Sequence, residues 1–208
     1  MPETFREDSM LDDLVIRQAL DSRLRRSNRD VPGAVVRHEL GVDNGARRVD
    51  VAVLNGHFAG WEIKSDRDTL ARLGDQAEAF GKVMDYLTIV TTAKFLARVE
   101  QLLPKEWGVV EAAMVTSSDS VKLTQRRRPR VNRNTDPLAI AQLLWRDETW
   151  QELKLRGLEA GLSSKPRYRL WAELSRELPK NELRSVVLNR LKQRPSWSGG
   201  LIRTPGDD

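Results

Sequence analysis

The stretch that most constrains this chain is Arg47–Lys64, reading RRVDVAVLNGHFAGWEIK. Two runs rich in β-branched and aromatic residues flank Asn55-Gly56, a pattern that predicts a β-hairpin. Residues i and i+2 of a strand share a face, so Glu62 and Lys64 point the same way while Ile63 turns into the core. Asp50 joins that face only if the register sets it opposite Glu62. This requires an odd number of residues at the turn, as in a three-residue loop centred on Gly56 or a bulge. A two-residue Asn55-Gly56 turn would set Asp50 against Trp61 and divide the acids between faces.

Two carboxylates and an ammonium on one sheet face call for a further cation. Hard oxygen ligands suit Mg2+ or Mn2+, with water and substrate phosphate completing the shell. Such an ion would lower the pKa of a bound water and neutralise charge on a phosphodiester under attack. A neighbouring lysine could orient that water or stabilise the pentavalent phosphorus. On these residues the expected chemistry is phosphodiester hydrolysis.

Asp50, eleven intervening residues and then Glu62-Ile63-Lys64 resemble the PD-(D/E)XK nuclease superfamily. The likeness continues through Ser65-Asp66, Asp68-Thr69-Leu70, Arg72-Leu73, Gln76 and a strand ending Val90-Thr91-Thr92, which are similar to a small bacterial group of poorly defined function. It spans Ser9 to Thr124, with Val49 where the motif's proline would stand. The resemblance implies an α/β restriction-endonuclease-like core (α-β-β-β-α-β) with a mixed sheet, and the apolar spacing and turn signals beyond that core predict further strands and a small C-terminal helical unit. It also implies Asp50 and Glu62 as metal ligands, joined by the Ile63 backbone carbonyl and by Glu39, with Lys64 as the catalytic lysine. Gln76, on the following helix, is a further catalytic candidate. Alternatives stay open for two of these: Glu39 as a solvent-facing strand residue, and Gln76 as an exposed helix residue.

Charge divides the chain. Residues 1–120 hold 16 Lys+Arg against 20 Asp+Glu, a net of −4, and residues 121–208 hold 19 against 10, a net of +9. An acidic site followed by a basic extension fits a DNA partner. The segment Gln125–Asn134 contains no acid, and its proline and asparagines predict a linker or arm. Arg126, Arg127, Arg128, Arg130 and Arg133, with Arg47 and Arg48 at the site edge, are the candidate phosphate contacts. A solvated basic linker is the alternative.

The expected organisation is a nuclease-like core at 1–124, a basic linker or arm at 125–135, a helical unit at 136–198 and a tail at 199–208. Ser9 predicts a helix cap, with Met10, Leu14, Leu20 and Leu24 on or near the apolar side. Asp66 predicts a cap for a helix from Arg67 to Met84, and Asp136-Pro137 a cap and first-turn proline for a helix running to Leu155. The absence of cysteine excludes disulfides and thiolate metal sites, and two histidines exclude a histidine-rich zinc site. No apolar run reaches the length of a membrane span, and the polar, acidic N-terminus is unlike a secretory signal. The expected location is therefore cytoplasmic, with no membrane partner. The resulting expectation is a Mg2+-dependent deoxyribonuclease acting in repair or in defence against foreign DNA, alone, as a homodimer or with a partner protein. A catalytically inactive nucleic-acid-binding or scaffolding protein on the same fold is the alternative.

Overall fold

The computed structural model describes residues 10–115, 117–118 and 120–194. A helix, α1 (Asp13–Ser27), leads into a three-stranded meander, β1 (Val35–Val42), β2 (Arg47–Leu54) and β3 (Phe58–Lys64). Then follow α2 (Leu73–Gly81), β4 (Tyr86–Thr91), α3 (Leu96–Leu102), β5 (Gly108–Val115) and β6 (Ser120–Arg127). Four helices close the described chain: α4 (Pro137–Ala141), α5 (Arg146–Leu155), α6 (Arg167–Glu177) and α7 (Lys180–Gln193). The strands form one sheet in chain order, β1 to β6. It is mixed, because β3, β4 and β5 run parallel while the other neighbours are antiparallel. Parallel neighbours need crossovers, and α2 and α3 supply them.

The sheet is covered on both faces. Ile16, Leu20 and Leu24 of α1, four residues apart, pack with Val51, Val53, Ile63, Val90 and Val110. On the other face Phe80, Met84 and Val99 join Leu54, Phe58, Leu87 and Ile89, in one cluster with Ile140, Leu153, Leu174, Val187 and Leu191. The C-terminal helices thus share a core with the sheet. Arg184 of α7 strengthens the joint by donating to Asp85 Oδ2, which also accepts the Phe58 N–H at 2.8 Å. Among the described residues, no helix is long and apolar enough to cross a membrane.

Several expected details are corrected. Ser9 lies outside the described residues; Asp12 caps α1, accepting from the Val15 N–H at 3.0 Å. The buried stripe of α1 starts at Ile16, whereas Met10 is 46% and Leu14 60% exposed. Asp66 caps no helix, because its carboxylate accepts the Leu11 N–H and the Thr92 hydroxyl, so α2 starts only at Leu73. The helix expected from Pro137 to Leu155 is two helices, parted where Trp145 adopts an extended backbone. The boundary expected after residue 124 falls inside β6, which continues through Arg127. The expected tail at 199–208 lies outside the described residues.

Beyond β6 the chain is a strap across the ends of the strands. The Arg130 N–H donates to Glu106 O and the Asn132 N–H to Asp85 O, both at 2.8 Å. The Asn132 side chain donates to the carbonyls of Gly81 and Met84, and the Asp136 N–H to Lys82 O. Lys180 of α7 donates to the carbonyls of Arg133 and Thr135. A side chain at Gly108 would put its Cβ 2.7 Å from Thr88 Oγ1 and 2.8 Å from Pro129 Cδ, so glycine there lets the strap lie close.

Candidate functional site

The turn of the hairpin holds three residues, since Leu54 pairs with Phe58, and Gly56 takes the positive φ of 101° at its centre. Extended one step, that register sets Asp50 opposite Glu62. The ladder, however, stops at the pair Val51–Trp61. It is also broken on the other side of β2, where His38–Val51 and Leu40–Val49 are paired and Glu39 and Asp50 between them are not.

Side-chain alternation explains the break. Val36 packs on the α1 side of the sheet, and Leu40 and Val42 pack on the other. Val51 and Val53 likewise face α1, and Val49 does not. All of these would share one face in a regular strand of period two. Both strands therefore exchange faces at Glu39 and Asp50, and Glu39 does so with a left-handed backbone, φ 53°. That conformation is uncommon outside glycine, asparagine and aspartate.

Asp50 and Arg17 fill the opening. Asp50 Oδ2 accepts the Ile63 N–H at 2.7 Å, replacing a ladder bond with a side-chain bond. Arg17 Nη2 donates to Asp50 Oδ1 and Nη1 to the Asp50 carbonyl, each at 3.0 Å. The same guanidinium meets Glu39 Oε1 at 3.2 Å and Asp13 Oδ1 at 3.0 Å. Burial works against its charge, but the bonds to Asp13 and the attraction of Asp50 prevail and hold its pKa above the ordinary arginine value.

Glu62 and Lys64 share a face of β3, both buried, and are bonded to each other at 2.7 Å. Gln76 of α2 donates to the same Glu62 Oε1 at 2.6 Å. Glu62 Oε2 and Gln76 Oε1 are buried without a hydrogen-bond partner. Burial first, and the nearby Asp50 charge second, push the Glu62 carboxyl up to about 8, against the opposing pull of Lys64 and Gln76. A carboxyl so raised is largely protonated at neutral pH, which turns one oxygen into a donor while Oε1 still accepts from Lys64.

The expected ligand set is thus divided: Asp50 and Glu39 meet Arg17, and Glu62 meets Lys64 and Gln76. Ile63 gives its N–H to Asp50 and its side chain to the core. Among the described residues, no three His, Cys, Asp or Glu are grouped so as to hold a metal ion. With the Arg17 guanidinium between Asp50 and Glu39, and Glu62 held apart on Lys64 and Gln76, these donors as arranged do not fit Mg2+ or Mn2+, which requires near-octahedral oxygen ligation.

The candidate phosphate contacts also divide. Arg47 pairs with Asp75 at 3.1 Å, Arg126 donates to Glu111 at 2.7 Å, and Arg127 donates to the Trp107 carbonyl at 2.7 Å. Arg48, Arg128, Arg130 and Arg133 are exposed. Arg17 is the site residue that sequence reading misses. Its one local signal is the i, i+4 spacing from Asp13, which reads as an ordinary helix-surface pair.

Fold and site define a mixed α/β protein with an internally compensated acid cluster set into an interrupted sheet. Residues 6–203 match the family described as Bacteriophage P4 protein cII, and the chain belongs to that family. Protein cII of Enterobacteria phage P4 is 30% identical over 161 residues, covering 77% of this chain and 60% of that protein. The chain thus spans 60% of the length of this relative. No solved structure matches.

This membership corrects the expected assignment. The family matched is the phage cII family and not the PD-(D/E)XK nuclease superfamily, and the similar protein is a phage protein where a small bacterial nuclease-like group was expected. The expected Mg2+-dependent deoxyribonuclease, with its endonuclease and hydrolase chemistry, and the inactive relative on the same fold lose the resemblance that supported them. An Asp, a Glu-x-Lys and a hairpin recur in unrelated settings, since short motifs carry a high false-positive rate. Here their charges are satisfied within the chain.

Proposed function

We propose that this cII-family protein contacts DNA, gripping the phosphate backbone through the strap that follows β6. The observation that carries this reading is the contrast within one arginine-rich segment. Arg126 and Arg127 are engaged with the sheet, whereas Arg128, Arg130 and Arg133 are exposed, and among the described residues they form no ion pair. Backbone bonds pin the segment that bears them, so little ordering remains to oppose binding. Exposed, unpaired guanidinium groups on a fixed backbone suit the regular phosphates of a duplex. The remaining excess of basic residues after 120 adds a favourable long-range field.

The finer architecture belongs to the same proposal. We read the order α1-β1-β2-β3-α2-β4, with β3 parallel to β4, as that of a restriction-endonuclease-like core, and the segments as a core, a strap and a helical unit docked on that core. Shared architecture does not carry chemistry with it. A DNA partner would also place the protein in the cytoplasm.

Fluorescence anisotropy with a labelled duplex at rising salt tests this reading. Binding should weaken steeply with salt, and replacing Arg128, Arg130 and Arg133 by glutamine should lower the slope of log K against log salt by about 3, roughly 1 per lost contact. Salt-insensitive binding, or an unchanged slope in the triple variant, would overturn it.

A further inference from the structure

We propose that Arg17 is the resident cation of the acid cluster, standing where a metal ion would have to bind and closing Asp50 and Glu39 to divalent cations. This inference does not rest on the DNA reading.

Three carboxylates converge on one guanidinium. Nε and Nη2 reach Asp13 at 3.0 and 3.3 Å, Nη2 also reaches Asp50 Oδ1 at 3.0 Å, and Nη1 reaches Glu39 at 3.2 Å and the Asp50 carbonyl at 3.0 Å. A planar fork of N–H donors engages all three acids at once and holds their charge without a metal ion. The other Asp50 oxygen accepts the Ile63 N–H, so both carboxylate oxygens are engaged within the chain. Seating is enforced by packing: Ile16, the preceding residue, is fully buried against the sheet, and with it Leu20 and Leu24 fix the rotation of α1 that delivers Arg17.

A second observation shows that the compensation is local. Glu62, 2% exposed, keeps Oε2 without a hydrogen-bond partner and experiences the Asp50 charge. Arg17 is bonded to Asp13, Glu39 and Asp50, while Glu62 depends on Lys64 and Gln76. Without Arg17, the charges of Asp13, Glu39 and Asp50 would stand uncompensated beside this fourth acid, and a divalent ion drawing them together would be the available countercharge.

Titration of the full chain with Mn2+, following the paramagnetic resonance of the free ion, provides the test. The native protein should show no saturable site, Arg17→Met should gain one at least about tenfold tighter, equivalent to about 1.4 kcal/mol, and Asp50→Asn added to Arg17→Met should abolish it. EDTA should leave the melting temperature of the native protein unchanged. Should Arg17→Met fail to fold, Arg17→Gln serves instead, because a neutral amide removes the charge while keeping a hydrogen-bond donor, and the same gain is expected. Native Mn2+ binding as tight as that of the variant, a folded variant that binds no Mn2+, or a native melting temperature lowered by EDTA would each overturn the proposal.

Discussion

The acid cluster at the broken strands and the strap after β6 are both arginine-bearing, yet they use arginine in opposite ways. At the cluster Arg17 is mostly buried and bonded to Asp13, Glu39 and Asp50, so its charge is used up inside the fold. On the strap the backbone carries the internal bonds, and the guanidinium groups of Arg128, Arg130 and Arg133 are displayed to solvent. A charge satisfied in a desolvated setting is structural, because breaking it leaves a partner stranded. A charge displayed on a fixed backbone costs the fold little and is free for a partner. Residue type alone does not separate the two; partner and burial do.

Substitutions at the two regions should therefore diverge, and the largest effect is expected at the cluster. Asp50→Ala strands both the Ile63 N–H and part of the Arg17 fork, and should cost about 3 kcal/mol in urea unfolding, as for a broken buried pair. A loss below about 0.5 kcal/mol, the range of ordinary surface substitutions, would mean that the charges of the cluster are not structural.

Gly108→Ala sharpens the comparison from the other side, because it attacks the seat of the strap and not its charges. The added methyl meets Thr88 and the Pro129 ring, so a cost of about 1–3 kcal/mol is expected, as for overpacking. Weaker DNA binding should accompany it in anisotropy, since the strap must shift. Full DNA affinity in a destabilised Gly108→Ala would uncouple strap position from binding.

The third effect depends on pH. The folded protein holds a proton on Glu62 up to about 8, while the unfolded chain releases it in the ordinary glutamate range. Between those values the native state binds more protons, so stability falls as pH rises, by at most about 1.4 kcal/mol per pH unit from this group. The contribution is full below the unfolded pKa and is lost as pH passes through the folded one. Denaturation midpoints across this window should flatten in Glu62→Gln; an unaltered slope would locate the titration elsewhere.

The smallest stability change is expected for the strap itself. Replacing Arg128, Arg130 and Arg133 by glutamine should each move stability by less than about 0.5 kcal/mol, even as DNA affinity drops. A strongly destabilised triple variant would show that these arginines are structural after all, and the contrast between the regions would fail.

Much of the local structure is legible in the residues. Asp136-Pro137 opens α4, with Asp136 Oδ1 accepting the Leu138 N–H at 2.8 Å. The spacing of Leu183, Val187 and Leu191 marks the buried side of α7, and the β-branched run 86–91 is the central strand β4. Of the two turns open at Asn55-Gly56, the three-residue one is found, with Leu54 paired to Phe58. The meeting of Glu62 with Lys64 is legible too, because i and i+2 share a strand face. Gln76 is legible only as one of two alternatives, and its bond to Glu62 decides between them.

Other features are hidden for a stated reason. The exchange of faces at Glu39 and Asp50 contradicts period-two alternation, and no glycine or proline marks it. Asp66 resembles a helix cap but is claimed by Leu11 and Thr92, residues 55 and 26 positions away. The arginines at 126–133 look alike in sequence, and only β6 and its neighbours separate the engaged from the displayed.

By itself the sequence determined a part of the local structure: the hairpin, the Asp136 cap, the apolar stripe of α7, and the pairing of Glu62 with Lys64. These depend on bonds and packing within a few residues, where chain geometry leaves few choices. Tertiary structure alone decided what the charges are for. It brought Arg17 to Asp50 across 33 positions and Arg184 to Asp85 across 99, and it bonded the strap to the strand ends while leaving three arginines in water. Electrostatic role depends on burial and on distant partners, and both exist only once the chain has folded.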